Sequence, residues 1–152
     1  MENQPLGTGK VAQIGIIVKD IEKTAKAYAD FLGLPMPSIS ETAGIESSRA
    51  TYRGEPCEAT AKLAFFKVGE GIDIELIQPD EKPSTWREFL NERGEGIHHI
   101  AFWIKDTAGK VKKLEAAGMT LLQTGEWGTG RYAYLDAMDS LKTIIETLES
   151  DN

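Results

Sequence analysis

The feature that most constrains the fold is an internal repeat. The segment Ala12–Asp20 (AQIGIIVKD) can be placed over His98–Asp106 (HHIAFWIKD) at a constant offset of 86 positions (98 − 12), and its closing Lys-Asp pair coincides. The hairpin AFFKVGEGIDIEL similarly lies over AYLDAMDSLKTIIETL, with a longer turn in the second copy. A repeat of one supersecondary unit predicts two similar halves that share a surface where they meet.

Each half reads as strand, helix and three strands. Apolar residues at helical spacing follow Asp20, a predicted N-cap, and the pattern ends at Gly33. Turn residues at Gly69–Gly71 predict a hairpin, and Ser84 begins a short connecting helix that Gly94 closes. The irregular stretch 36–58 holds one weak predicted strand at 49–53.

The predicted fold class is α+β, with two βαβββ modules forming a concave mixed sheet. The modules cover about residues 11–79 and 97–149 within a single domain at 11–150, and a flexible lead occupies 1–10. A chain of 152 residues fits one domain of this kind.

Charge and composition exclude several classes of partner. The chain carries 17 Lys and Arg against 24 Asp and Glu, a net charge of −7, which argues against nucleic acid and anionic membranes. No apolar run is long enough to span a bilayer, and the beginning MENQPLGTGK does not resemble a signal peptide. The single cysteine, Cys57, fits a reducing compartment, so we expect a cytoplasmic protein.

The repeat and strand parity together select four candidate metal ligands. Side chains alternate between the two faces of a strand, which places Gln13 and His99 at equivalent positions of the repeat, on the face opposite the apolar residues. Glu75 faces away from the apolar side of its strand. The repeat makes Glu146 its counterpart in the second half, although Glu146 shares a face with Ile144 and Leu148 and parity is less decisive there. One imidazole, two carboxylates and one amide oxygen suit a divalent ion such as Zn, Co, Ni or Mn.

Each of these residues also has a structural interpretation. Glu75 could lie on a solvated face of an antiparallel strand, and a lone Gln or His is usually a satisfied polar residue. Parity assigns His98 to the apolar face, opposite His99. Because a two-His-one-carboxylate iron site needs two convergent imidazoles, this parity argues against an iron dioxygenase.

The opening VAQIGIIVKDIEKTAKAYADFLGL, the segment IDIELIQP and the stretch FLNERGEGIHHIAF resemble the vicinal oxygen chelate superfamily, and methylmalonyl-CoA epimerases most closely. The resemblance runs from about Val11 to Glu149. It implies the same four ligands, Gln13, Glu75, His99 and Glu146. Gln13 departs from the epimerase pattern, which has His there, and the order Gln, Glu, His, Glu is similar to the eukaryotic-type glyoxalase I.

The resemblance implies a metal-dependent isomerase that moves a carbon-bound proton next to a carbonyl. A methylmalonyl-CoA epimerase-like enzyme acting on a thioester is the first expectation, and a glyoxalase I-like lyase acting on a hemithioacetal is the alternative. Glu146 is the expected base, and Glu58 is a weaker candidate for a second acid or base. The resemblance also implies a homodimer.

Two further alternatives concern binding. The segment GEWGTGR is expected to form a mobile substrate loop, in which Gly128 and Gly130 expose backbone amides and Arg131 holds an anion. It could equally be a plain turn. A metal-free small-molecule-binding protein of the bleomycin-resistance type would keep the same concave surface without catalysis.

Overall fold

The computed structural model describes residues 4–152, so the first three residues of the predicted lead lie outside the described chain. Ten strands and four helices follow one another in this part of the chain. They are β1 (Val11–Ile17), α1 (Ile21–Leu32), β2 (Ser40–Glu41), α2 (Ile45–Ser48), β3 (Thr51–Tyr52), β4 (Glu55–Pro56), β5 (Ala61–Gly69), β6 (Ile72–Pro79), α3 (Thr85–Arg93), β7 (Gly96–Trp103), α4 (Thr107–Ala116), β8 (Thr120–Trp127), β9 (Gly130–Ala137) and β10 (Thr143–Ser150).

All ten strands join one curled mixed sheet in the order β2-β5-β6-β1-β7-β10-β9-β8-β3-β4. In each half the first strand pairs in parallel with the last, β1 with β6 and β7 with β10, and the other pairs are antiparallel. The antiparallel β1–β7 pair joins the halves at the centre. The predicted fold class is therefore confirmed.

The strand registers of the two halves are equivalent. On β1, the residue two positions after Gln13 is Gly15, which pairs with Glu75. On β7, the residue two positions after His99 is Ala101, which pairs with Glu146. The register that relates Gln13 to Glu75 in the first half is therefore the same as the register that relates His99 to Glu146 in the second half.

Two helices cover the convex face of the sheet. The repeated Lys-Asp pair has the same use in both halves, because Asp20 and Asp106 are the N-caps of α1 and α4. Helix α1 packs through Ile21, Ala25 and Ala29 on buried residues of β5 and β6. Helix α4 packs through Val111 and Leu114 on β9.

Helix α3 closes one end of the concave face. Ser84 caps it, as predicted, by accepting a hydrogen bond from the amide of Arg87. Its Trp86 is buried among apolar residues that the central strands turn inward, including Ile17 and Tyr134. Trp86 also lines the cavity described below.

The region 36–58 differs from the prediction. The structure places the strand that follows α1 at Ser40–Glu41, and the strand predicted at 49–53 shortens to Thr51–Tyr52. That strand pairs with β8 of the second half instead. Within the described chain, no helix is long and apolar enough to cross a membrane.

Candidate metal centre

The four central strands bring the candidate ligands together at the floor of the concave face. Gln13 lies on β1, Glu75 on β6, His99 on β7 and Glu146 on β10. Glu75, His99 and Glu146 are all buried, and their ligand atoms lie within 4.8 Å of one another. Gln13 lines the same cavity as both glutamates. The predicted residues are therefore neighbours in space, although the chain separates the first and last by 133 positions.

The polar atoms of this cluster are buried without hydrogen-bond partners. They are Gln13 Oε1, Glu75 Oε1, His99 Nε2 and Glu146 Oε1. His99 Nε2 lies 3.0 Å from Glu146 Oε1 and 3.5 Å from Glu75 Oε1, but neither contact is aligned as a hydrogen bond. Ligand atoms about 2.0–2.1 Å from one ion are separated by roughly 2.9–3.4 Å. The Glu75, His99 and Glu146 atoms thus lie close enough together to hold a divalent cation, and Gln13 Oε1 is a fourth buried oxygen at the same cavity.

Burial also sets the protonation of the cluster. It raises the pKa of Glu75 well above its usual range, with a further contribution from the charge of Glu146. Burial raises the pKa of Glu146 to about 8 and lowers the pKa of His99 to about 3. Without a cation the carboxyls tend to hold protons while the imidazole stays neutral, so a binding cation must displace protons from them.

Gly15 provides the space for the ligand imidazole. It lies directly across from His99 in the β1–β7 pair. A Cβ atom at this position would overlap the His99 ring at Cε1, Nδ1 and Nε2. Glycine is therefore needed at this position to leave room for the His99 ring, and not because the backbone turns there.

A β-bulge turns His98 to the same side as His99, which corrects the parity prediction. Gly15 pairs with His99 but Ile16 pairs with Ile97, so β7 has one extra residue at His98. The two rings lie 5.1 Å apart, and their Nδ1 atoms form a hydrogen bond of 2.9 Å. His98 Nε2 bonds with Thr85 Oγ1 at 3.2 Å. Both His98 nitrogens are thus engaged, which leaves His99 as the nitrogen donor of the cluster.

This hydrogen-bond network continues away from the cluster. The amide of Thr85 donates to Gln123 Oε1 at 2.9 Å, and Gln123 Nε2 donates to the hydroxyl of Tyr132 at 3.0 Å. Trp86 Nε1 donates to the hydroxyl of Tyr134 at 3.1 Å. Helix α3 therefore links the interior polar groups to two tyrosines of the cavity wall.

A cavity of about 470 Å³ opens above the cluster. Its floor holds Gln13, Glu75 and Glu146. Its wall includes aromatic side chains from several strands and from α3, namely Phe65, Trp86, Trp103, Trp127, Tyr132 and Tyr134. A volume of this size admits a small organic ligand directly over the candidate ligands.

Of the four other residues predicted to belong to the site, one lines the cavity and three do not. Gly128 lines the cavity, at the two-residue turn between β8 and β9. Gly130 packs against the ring of Trp127 and the carbonyl of Glu149. Arg131 is paired with Glu149 and Asp151 and lies outside the cavity lining. Glu58 is exposed, 3.9 Å from Lys82, and is also outside the lining.

Sequence reasoning missed several cavity residues. Glu41 and Glu126 line the cavity but stand in a short edge strand and in the segment read as a loop, where no pattern marks them. Tyr132 and Tyr134 were detectable, because they alternate along one strand and therefore share a face. Their register partners on β10, Leu148 and Glu146, line the same cavity.

A family model described as Glyoxalase/Bleomycin resistance protein/Dioxygenase superfamily matches residues 12–134. The chain belongs to this superfamily. A curated relative, Uncharacterized protein YqjC of Bacillus subtilis (strain 168), is 31% identical over 93 residues, which are 61% of this chain. The match covers 56% of that relative's length.

Solved structures with the superfamily fold include several epimerases. Methylmalonyl-CoA epimerase from Mycobacterium tuberculosis gives a TM-score of 0.62 at 23% identity, over 92% of this chain and 87% of that one. A Streptomyces coelicolor methylmalonyl-CoA epimerase variant in complex with 2-nitronate-propionyl-CoA gives 0.63 at 19% identity, over 94% and 98%. A 4-hydroxymandelate synthase mutant from Streptomyces coelicolor gives 0.59 at 18%, over 97% and 52%. These similarities establish the fold of this superfamily member.

Proposed function

We propose that this protein is a metal-dependent enzyme that moves a proton at a carbon next to a carbonyl. Gln13, Glu75, His99 and Glu146 would hold one divalent ion, of Zn, Co, Ni or Mn type. The observation that carries the proposal is the group of buried, unpartnered ligand atoms at the floor of an open cavity. Burying such atoms without partners is costly, so their convergence points to a use.

A bound divalent ion would act as a Lewis acid and lower the free energy of an enolate formed from the substrate carbonyl. Glu146 is the proposed base, since it lies at the cavity floor within reach of a ligand above the cluster. Its carboxylate can accept a proton from the substrate carbon and return it. The aromatic wall would exclude water from the reacting carbon.

Returning the proton to the opposite face needs a second acid or base. Glu58, the candidate from the sequence, lies outside the cavity lining. Glu41 and Glu126 both line the cavity from the two outer parts of the sheet. We therefore assign the second position to one of these two carboxylates.

Two substrate classes remain in the proposal. A methylmalonyl-type thioester is supported by the FLNERGEGIHHIAF resemblance and by the fold shared with epimerases, one of them in complex with methylmalonyl-CoA. A hemithioacetal, the glyoxalase I-like alternative, is favoured by Gln13 and by the two carboxylates of the cluster. Two carboxylates neutralise a divalent ion, which suits an uncharged chelating substrate better than a carboxylate.

Proton exchange separates these candidates. The protein loaded in turn with each of the four metals is incubated in D₂O with methylmalonyl-CoA and, separately, with the hemithioacetal of methylglyoxal and a small thiol. NMR follows deuterium entering the α-position of the first and conversion of the second. Metal-dependent reaction with either compound supports the proposed chemistry and identifies the substrate class.

A non-catalytic binding protein of the bleomycin-resistance type is the rival proposal. It predicts ligand binding without exchange of carbon-bound protons in any of these samples. Metal-independent binding with no exchange would favour it. The homodimer also stays a prediction, and a monomer in size-exclusion chromatography at micromolar concentration would contradict it.

A further inference from the structure

The charges on the cavity wall are all of one sign. Within residues 4–152, the charged side chains that line the cavity are Glu41, Glu75, Glu126 and Glu146, with no Lys, Arg or His among the lining residues. Glu75 and Glu146 form the floor, whereas Glu41 and Glu126 are exposed. A cavity lined by charges of one sign concentrates the field of those charges.

Nearby cations do not offset this charge. Arg131 is held by Glu149 at 3.3 Å and by Asp151 at 2.5 Å, outside the cavity lining. Lys67 lines a neighbouring cavity of about 270 Å³ that shares Gln13 and Trp103 with this one, and Asp73 in the same lining balances its charge. Among residues 4–152, the cavity therefore has no cationic side chain that could form an ion pair with a carboxylate or phosphate.

A bound divalent ion would change the net charge only at the floor of the cavity. Its two positive charges are matched by the carboxylates of Glu75 and Glu146, so the loaded centre is neutral apart from the ligand it receives. Glu41 and Glu126 then leave the cavity as a whole negative. An anionic ligand would meet repulsion from these two groups, which act through solvent because both are exposed, so added salt weakens that repulsion.

The rest of the wall is aromatic. Trp103 and Trp127 contact each other edge to face, with ring centroids 6.3 Å apart, and both are more than a third exposed. Phe65 and Tyr132 contribute further ring surface to the cavity. Aromatic faces bind apolar groups and cations but give no favourable interaction with an anion.

We infer that the cavity selects ligands with a chelating head and an apolar or aromatic body that carries no negative charge. The inference rests on the proposed function, because the chelating head is assigned to the metal centre. A free carboxylate on the body of the ligand is predicted to be selected against. Of the two proposed substrate classes, this favours a hemithioacetal over a methylmalonyl-type thioester.

Three hydroxamic acids that differ only in one para substituent test this inference. They are benzohydroxamic acid, its 4-trimethylammonio derivative and its 4-carboxylate derivative. Binding to zinc-loaded and metal-free protein is measured by quenching of the tryptophan fluorescence and by calorimetry, at low and high salt. The same series is measured with the Glu41→Gln/Glu126→Gln double variant, and with Glu115→Gln, an exposed carboxylate on α4, as the matched control.

The expected result is zinc-dependent binding in which the carboxylate compound is at least about tenfold weaker than the neutral one, and the cation binds best. High salt and the double variant should reduce the differences in affinity among the three compounds, whereas Glu115→Gln should leave these differences unchanged. If binding depends on zinc but the carboxylate compound binds as tightly as the neutral compound, or more tightly, the inference fails and the proposed metal function is unaffected. If zinc strengthens none of the three, the proposed metal function fails. If none binds under any condition, both proposals fail.

Discussion

The Nδ1 atoms of His98 and His99 lie 2.9 Å apart, within the buried interior of the sheet. A metal at Nε2 of His99 requires a hydrogen on its Nδ1, which then donates to Nδ1 of His98. His98 must therefore carry its hydrogen on Nε2 and donate to Thr85 Oγ1, 3.2 Å away. This chain of hydrogen bonds fixes the tautomer of the candidate ligand and orients its ring.

His98 is therefore predicted to be a positioning residue for metal binding. His98→Phe keeps a ring but removes the acceptor, and it should weaken zinc affinity by about 10- to 100-fold, as losses of such outer partners do. His98→Asn keeps an acceptor near the Nδ1 position and should recover part of the affinity. Competition with a fluorescent zinc chelator measures both, and equal affinity of His98→Phe and wild type would refute the assignment.

The repeat and the parity predict the sheet and the place of Gln13, Glu75 and His99, because these features depend only on alternation along regular strands. Parity fails at His98, where an extra residue in β7 breaks the alternation. No local sequence pattern announces that bulge. It depends on how β1 pairs with β7 across the whole molecule.

The functions predicted for Glu58 and Arg131 depended on nearness along the chain and on residue type. Neither the position of a residue along the chain nor its type determines the direction of its side chain in the fold. Glu58 lies at the surface near Lys82, and Arg131 is paired with Glu149 and Asp151. Glu41, by contrast, reaches the cavity from a strand of only two residues, for which no periodicity exists.

Gly15 is predicted to be essential for the position of His99. Gly15→Ala introduces a Cβ that would overlap the imidazole, so the ring must move away from Glu75 and Glu146. We expect zinc affinity to fall by at least about tenfold, together with a lower melting temperature. Gly44→Ala is the control, since nothing lies within 4 Å of a Cβ there and its φ of −67° suits any residue. Unchanged zinc binding by Gly15→Ala would argue against this geometry.

The metal-free protein should lose stability as pH rises from about 6.5 to 8. The pKa of Glu146 is about 8 in the folded chain against 4.5 ordinarily, so in this interval the folded state still holds a proton that the unfolded chain has already released. Over this interval the difference corresponds to about 2 kcal/mol, and the melting temperature should fall by several degrees. Differential scanning calorimetry across this range measures it.

The same measurement contains its own controls. Glu146→Gln removes the titrating group and should flatten the decline, whereas Glu115→Gln should not. Below pH 6.5 the opposite effect begins, because the unfolded chain protonates His99 while its folded pKa is about 3. Saturating zinc should stabilise more strongly as pH rises, since it competes with protons for the carboxylates. A melting temperature that rises between pH 6.5 and 8 without metal would contradict the prediction.

Glu146 is predicted to be needed for proton transfer more than for holding the metal. Glu146→Gln keeps an oxygen donor but removes the base, so kcat should fall by orders of magnitude on whichever substrate exchanges. Zinc content after loading, measured on the same samples, should remain close to one ion per chain. Activity within a few fold of wild type would remove Glu146 from the role of base.

Counting the metal ions bound per chain shows whether Gln13, Glu75, His99 and Glu146 form a metal centre. Purified protein is loaded with zinc, freed of excess by gel filtration and analysed by elemental mass spectrometry, beside His99→Ala treated in the same way. We expect one ion per chain in the wild type and loss of most of it in His99→Ala, which lacks the nitrogen ligand. No bound ion in the wild type, or equal occupancy in His99→Ala, would contradict this expectation.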